Sequence, residues 1–231
     1  MAREEYQQAL EGLRVDVLSM GDRALSQLAD GLAALEARDD ALAREVIAGD
    51  DDLNERYLDL ESQCVDLLAL QQPVAGDLRF VVASFKIITD LERVGDLATN
   101  LAEYAIAGGD DRPADTDRPP GVDVIGIGTD AQALLEDALA AYEAEDVAAC
   151  RAIADRDDEI DTLCAHASES VVRDLIEHEA GGSDPWAVER LMDDVSQLLL
   201  TIRDIERVGD HAVNIAARTL YMVESDPALL Y

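Results

Sequence analysis

Lysine is almost missing from this chain: Lys86 is the only one in 231 residues, and 18 Lys and Arg face 51 Asp and Glu, for a net charge of −33. Binding nucleic acid takes a basic face that neutralises phosphates, and none can be assembled here, so nucleic acid is excluded as a partner. An anionic membrane surface is disfavoured on the same ground. Aromatic residues make up only 4%. Strand-favouring aromatic runs are absent, and Leu and Ala dominate the 48% of hydrophobic residues, which points to an all-helical protein. Cys64, Cys150 and Cys164 form no C-x-x-C pair and are odd in number, so they read as reduced, small apolar residues of a cytoplasmic protein. No apolar run approaches the ~20 residues of a membrane span. The charged start M-A-R-E-E-Y lacks a signal-peptide pattern. A soluble cytoplasmic chain with no membrane insertion is expected. Its acid excess reads as a solvated coat suited to concentrated salt, as in a halophilic archaeon.

What the chain does contain is a duplicated segment. Residues 90–100 read D-L-E-R-V-G-D-L-A-T-N, and 204–214 read D-I-E-R-V-G-D-H-A-V-N. Asp90, Glu92, Arg93, Gly95, Asp96 and Asn100 thus recur as Asp204, Glu206, Arg207, Gly209, Asp210 and Asn214, each 114 positions later. On a helix, Glu92, Asp96 and Asn100 share one stripe. Two carboxylates at i,i+4 repel by roughly 0.2–0.5 kcal/mol, and glycine costs about 1 kcal/mol more than alanine inside a helix. Making both unfavourable choices twice implies a use for them.

The periodicity predicts a first helix from about Glu4 to Glu36, with Leu10, Leu13, Val17, Met20, Leu25, Leu28, Leu32 and Leu35 on one stripe. Asp39-Asp40 caps a second helix, which runs to about Leu70. Pro73 suits the first turn of a third, which carries Leu78, Val81, Val82, Phe85, Ile88 and Leu91 into the motif and ends near Ile106. Residues 108–123 lose the apolar period, are rich in Gly, Pro and Asp, and read as a linker. Gly126-Ile127-Gly128-Thr129 is not a phosphate loop, since no lysine follows; Thr129 or Asp130 is expected to cap the next helix. The first half then repeats: residues 31–39 and 49–54 are answered 107 positions later by 138–146 and 156–161. Ser183 or Asp184 caps the last helix, with Pro185 in its first turn and Trp186 packed near it. The predicted architecture is all-α, two tandem three-helix bundles (1–107 and 124–231) of antiparallel helices.

Equivalent positions expose a candidate site. Asp50 and Asn54 lie four apart on the second helix, and Asp157 and Asp161 are their counterparts. In an antiparallel hairpin, residues equidistant from the turn lie side by side. Asn54 with Glu92, and Asp50 with Asp96, both centre on Pro73; Asp161 with Glu206, and Asp157 with Asp210, both centre between Ser183 and Asp184. Each bundle is therefore expected to gather four oxygen-bearing side chains at one height. Crowded carboxylates raise one another's pKa unless a cation is present, and oxygen-only ligation suits hard ions such as Mg, Mn or Fe. The competing reading is a salt-bridge layer in which Arg93 pairs with Asp90 and Arg207 with Asp204, each three residues away. His211, beside Asp210, is expected at the surface because Leu97 holds the equivalent place. Metal-assisted hydrolysis at the carboxylates is the rival function.

At these residues the chain resembles the PhoU family of phosphate-uptake regulators. The likeness rests on both E-R-V-G-D segments, Q-Q-P-V-A-G-D-L-R (71–79) and G-D-D-D-L-N (49–54). It implies a cytoplasmic homodimer that represses phosphate uptake and signalling when phosphate is abundant. Its partners would be the phosphate ABC transporter and a sensor histidine kinase. Related bundles regulate other ion transport systems, which is the second alternative. Some members carry multinuclear iron or zinc clusters on paired E/D-x-x-x-D motifs and others hold no metal. The matching positions here are Asp50, Asn54, Glu92, Asp96, Asp157, Asp161, Glu206 and Asp210. The second half lacks the Q-Q-P-V-A-G-D-L-R turn.

Overall fold

A computed structural model of the chain describes the backbone of residues 3–71, 75–107, 122–179 and 185–230, and the side chains of 4–69, 75–107, 122–177 and 191–230. Six helices make up the described residues, with no strand among them: α1 (Arg3–Ala37), α2 (Asp40–Gln71), α3 (Ala75–Ala107), α4 (Val124–Ala144), α5 (Val147–Glu179) and α6 (Pro185–Glu224). α1, α2 and α3 pack on one another, as do α4, α5 and α6, giving the two three-helix bundles the periodicity predicts. The bundles lie side by side. α3 packs along α6, and α4 touches both α1 and α6. One continuous set of buried residues runs through both halves, from Leu13 and Met20 through Ile87 and Leu91 to Leu134 and Ile205. Each such Leu or Ile contributes roughly 1.5–3 kcal/mol relative to an exposed position.

The two short turns are copies. Arg38 and Glu145 both adopt a left-handed conformation at φ 53°, which ends α1 and α4 and lets the next amide reach back to Ala34 and Ala141. Asp39 then caps α2 by accepting from the Ala41 and Leu42 amides at 2.9 and 3.1 Å. Asp146 caps α5 through Ala148 and Ala149 at 2.9 and 3.0 Å. The start of α4 departs from expectation. Asp123 is its cap, accepting from the Gly126 amide at 2.9 Å, and Thr129 lies inside the helix, donating to Ile125 O. Gly126 and Gly128 read as chain breakers but sit within α4. At Gly128 the missing side chain makes room for Leu32 of α1. Leu78 and Val82, expected on the buried stripe of α3, are both exposed. Pro185 does open α6. Pro73, Ser183, Asp184 and the Trp186 side chain lie outside the described residues.

A polar cluster joins the halves at one level. Arg14 lies over the rings of Phe80 and Tyr142, 4.9 and 5.6 Å from their centroids. The Tyr142 hydroxyl and Ser84 are hydrogen-bonded at 2.8 Å. All three cysteines are buried and free. Burial pushes the thiols of Cys64 and Cys164 up to about 12 and that of Cys150 to about 11, which leaves them unreactive. No helix among the described residues is long and apolar enough to cross a membrane.

Candidate functional site

The duplicated segments lie on α3 and α6, and their ends hold the two helices together. Asn214 Nδ2 donates to Asp90 Oδ1 at 3.3 Å, and Asn100 Nδ2 donates to Asp204 Oδ2 at 3.2 Å. Each copy's first Asp takes the other copy's last Asn, so α3 and α6 run antiparallel about a pseudo-twofold relation. Asp204 is fully buried. It also accepts from Tyr104 Oη at 2.9 Å and from Arg203 Nη2 at 2.9 Å, with Arg207 farther off at 3.8 Å. Burying a carboxylate is costly unless donors meet its oxygens, and here they do.

Two expectations fail at this seam. His211 is not a surface residue: it is 6% exposed, and its Nδ1 lies 2.9 Å from Asp90 Oδ1. The equivalent Leu97 is buried too, because this position faces the opposite helix in both copies. Arg93 does not pair with Asp90, whose oxygen is already taken by His211 and Asn214. It lines a pocket beside α6 with Arg207. The cross-repeat Asp–Asn pairing was absent from the sequence reading. Its signal was there, since Asp and Asn recur ten residues apart in both copies, but using it required knowing that α3 and α6 pack together.

Within each predicted quartet, carboxylates from the two facing helices act on one another. In the first, Asp50 is held by neutral donors: Asn54 Nδ2 at 2.9 Å, Thr99 Oγ1 at 3.3 Å and Gln27 Nε2 at 3.5 Å. Glu92 is raised above the ordinary carboxylate range by burial and then by Asp96 and Asp50, against the pull of Arg93. Asp96 is raised by burial and by Asp50, opposed by Arg207 and Arg93. The second quartet has no such relief. Asp157, 9% exposed, is pushed up to about 7, first by burial and then by Asp161, Asp210, Asp158 and Glu206. Asp161 and Glu206 are raised by partial burial and by Asp210, Glu206 also by Asp161. Asp157 Oδ1 is buried without a hydrogen-bond partner. The repeated glycines explain this crowding. A methyl group on Gly209 would strike Asp157 Oδ1, and one on Gly95 would strike Leu53 of α2. Glycine lets α5 and α2 press against the motif helices.

The second quartet fits a hard cation in its chemistry: four carboxylates and one buried oxygen lacking a partner. Among the described residues, however, no three Asp, Glu, His or Cys side chains converge as a ready-made ligand set.

Comparison with known proteins places these features in a family. The family model described as "PhoU domain" matches twice, over residues 17–105 and 124–219, with one motif copy in each match. The phosphate-specific transport system accessory protein PhoU homolog of Pseudomonas aeruginosa is 32% identical over 221 residues, covering 95% of this chain and 86% of that one. The homolog of the same description from Caulobacter vibrioides is 36% identical, covering 92% and 87%. The crystal structure of PhoU from Pseudomonas aeruginosa superposes with a TM-score of 0.84 at 31% identity, over 96% of this chain and all of that one. The phosphate transport system regulatory protein PhoU from Streptococcus pneumoniae gives 0.82 at 25% identity, over 96% and 99%. These relatives are bacterial and do not bear on a halophilic archaeal source.

Proposed function

The chain belongs to the PhoU family, and on that premise we propose that it restrains phosphate uptake and phosphate-responsive signalling when phosphate is plentiful. It is a phosphate-transport-associated protein of helical-bundle fold. The finer reading is that it acts without catalysis, in the cytoplasm, as a homodimer. It would dock on the phosphate ABC transporter and, where one exists, on a sensor histidine kinase. The observation that carries this is the double family match, which spans both bundles and includes both motif copies. The accessory and regulatory descriptions of the relatives support a role in control. The acidic coat keeps the surface soluble and restricts docking to partners that offer positive or apolar patches.

A metal belongs to the same proposal. Asp157, Asp161, Glu206 and Asp210 would hold iron, zinc or another divalent cation, with the unpartnered Asp157 Oδ1 as the inner oxygen. The cation would supply the positive charge that lets Asp157 ionise at neutral pH. Gly209 permits the approach of α5, and the mutual repulsion of the four carboxylates favours whatever cation is offered. In the first quartet, Asn54, Thr99 and Gln27 already satisfy Asp50, and the demand for a cation is smaller.

Docking is tested by co-purification. Tagged chain incubated with detergent-solubilised phosphate transporter in phosphate-rich buffer is expected to retain the transporter, and a transporter that washes through would contradict the proposal. Elemental analysis of protein purified without chelator addresses the metal. Bound iron, zinc or another divalent cation that is lost in Asp157→Asn supports the second quartet; metal retained in that variant places it elsewhere. Turnover of generic phosphoesters by metal-loaded protein, lost in Glu206→Gln, would favour the hydrolase reading instead.

A further inference from the structure

Gene duplication has brought two copies of one arginine to a single place. Arg93 on α3 and Arg207 on α6 line a pocket of about 250 Å³, completed by Asp96, Leu97, Thr99 and Asn100. In a chain with only 18 basic residues against 51 acidic ones, two guanidiniums sharing one cavity is an unusual use of positive charge. Neither is consumed by a close ion pair. Arg93 has none within 4 Å among the described residues, and Arg207 stands 3.8 Å from Asp204, whose oxygens are already occupied by Arg203, Tyr104 and Asn100. Both act on Asp96, and each opposes the rise in its pKa. Both also lie across the seam between the two bundles, and a ligand held there touches both halves of the protein.

The lining is mixed in a telling way. Donors dominate: the two guanidiniums and the second amide N–H of Asn100, whose first goes to Asp204, while the Thr99 hydroxyl is already spent on Asp50. One carboxylate, Asp96, stands among them, and Leu97 forms an apolar wall. The pseudo-equivalent positions are not the same. Leu97 and Thr99 correspond to His211, which is tied to Asp90, and to Val213, which has no hydroxyl.

We infer that this pocket binds inorganic phosphate. Its unprotonated oxygens accept from Arg93, Arg207 and Asn100, and its remaining P–OH donates to Asp96. Near neutral pH phosphate keeps at least one proton, whereas sulfate keeps none and would set a bare oxygen against the Asp96 carboxylate. One negative charge among donors therefore selects phosphate over sulfate. Asp50, Glu92 and Asp204 lie nearby, and their negative charge holds the affinity below that of an isolated arginine pair. The inference deepens the phosphate-control reading by giving the chain its own sensor at the joint between bundles. It rests on that reading for its biological meaning alone. Binding is measured on purified protein and regulation in cells, and either can fail without the other.

Isothermal titration of the full chain with inorganic phosphate, in chelator and at fixed ionic strength, is the test. Saturable binding at one site per chain, with Kd at or below about 1 mM, is expected, and sulfate should bind at least about tenfold more weakly. The double variant Arg93→Gln, Arg207→Gln should weaken phosphate binding at least about tenfold. Asp96→Asn should narrow the gap between phosphate and sulfate. Should the double variant fail to fold by circular dichroism, Arg93→Gln alone decides, since Arg93 has no ion pair within 4 Å among the described residues; it should weaken binding severalfold. Absence of saturable binding, equal affinity for sulfate, unchanged affinity in the double arginine variant or in Arg93→Gln, or binding only after a divalent cation is added would overturn the inference.

Discussion

Asp157 is a carboxyl whose protonation state depends on its surroundings. Its carboxyl is raised from 3.8 to about 7, with burial the largest cause. Between those values the folded chain keeps a proton that the unfolded chain has released. Folding then takes up a proton, and this group's stabilisation is complete below the unfolded pKa and is lost as pH rises through about 7. Chelator-treated protein should therefore lose more Tm between about pH 5 and about pH 8 than Asp157→Asn does. Superimposable Tm profiles for the two proteins would show that the buried carboxylate is not under strain. Asp204 is the contrasting case, buried but well supplied with donors. Tyr104→Phe removes one of them and leaves the buried oxygen with one partner fewer, so urea unfolding should report a loss of about 1–3 kcal/mol. No measurable loss would mean that Arg203 and Asn100 suffice.

At the scale of helices, the sequence carried a puzzle that packing resolves. Gly95 and Gly209 stand in the middle of helices, where propensity argues against them. Each marks the place where a neighbouring helix presses close, Leu53 on α2 in one case and Asp157 on α5 in the other. Gly95→Ala should destabilise by roughly 1–3 kcal/mol in chemical denaturation, because Leu53 is buried and has little room to move. A stabilised Gly95→Ala protein would mean the core yields and propensity decides. Helix boundaries were legible wherever caps and periodicity coincided, as at Asp39 and Pro185. They were misread at α4, because Gly126 and Gly128 look like turn residues when only local chain preferences are considered. His211 was misplaced for a related reason. Its burial is set by α6 packing along α3, a contact between segments more than a hundred residues apart that no local pattern encodes.

For the molecule as a whole, the all-helical double bundle was readable from scarce aromatics, apolar stripes and the duplicated motif. Counting from the hairpin turns sets Asp50 toward Glu92 and Asp96, and Asp157 toward Glu206 and Asp210, and the charges of these groups do act on one another in the structure. How the bundles lie against each other was not readable. That arrangement creates the reciprocal Asp–Asn pairs and the two-arginine pocket. Regulation is the claim that matters most at this scale. Its most direct measurement is the initial rate of radiolabelled phosphate uptake by phosphate-replete cells, with the gene present, deleted, and restored on a plasmid. The account predicts faster uptake on deletion and a return to the original rate on restoration. An uptake rate indifferent to the gene would contradict it.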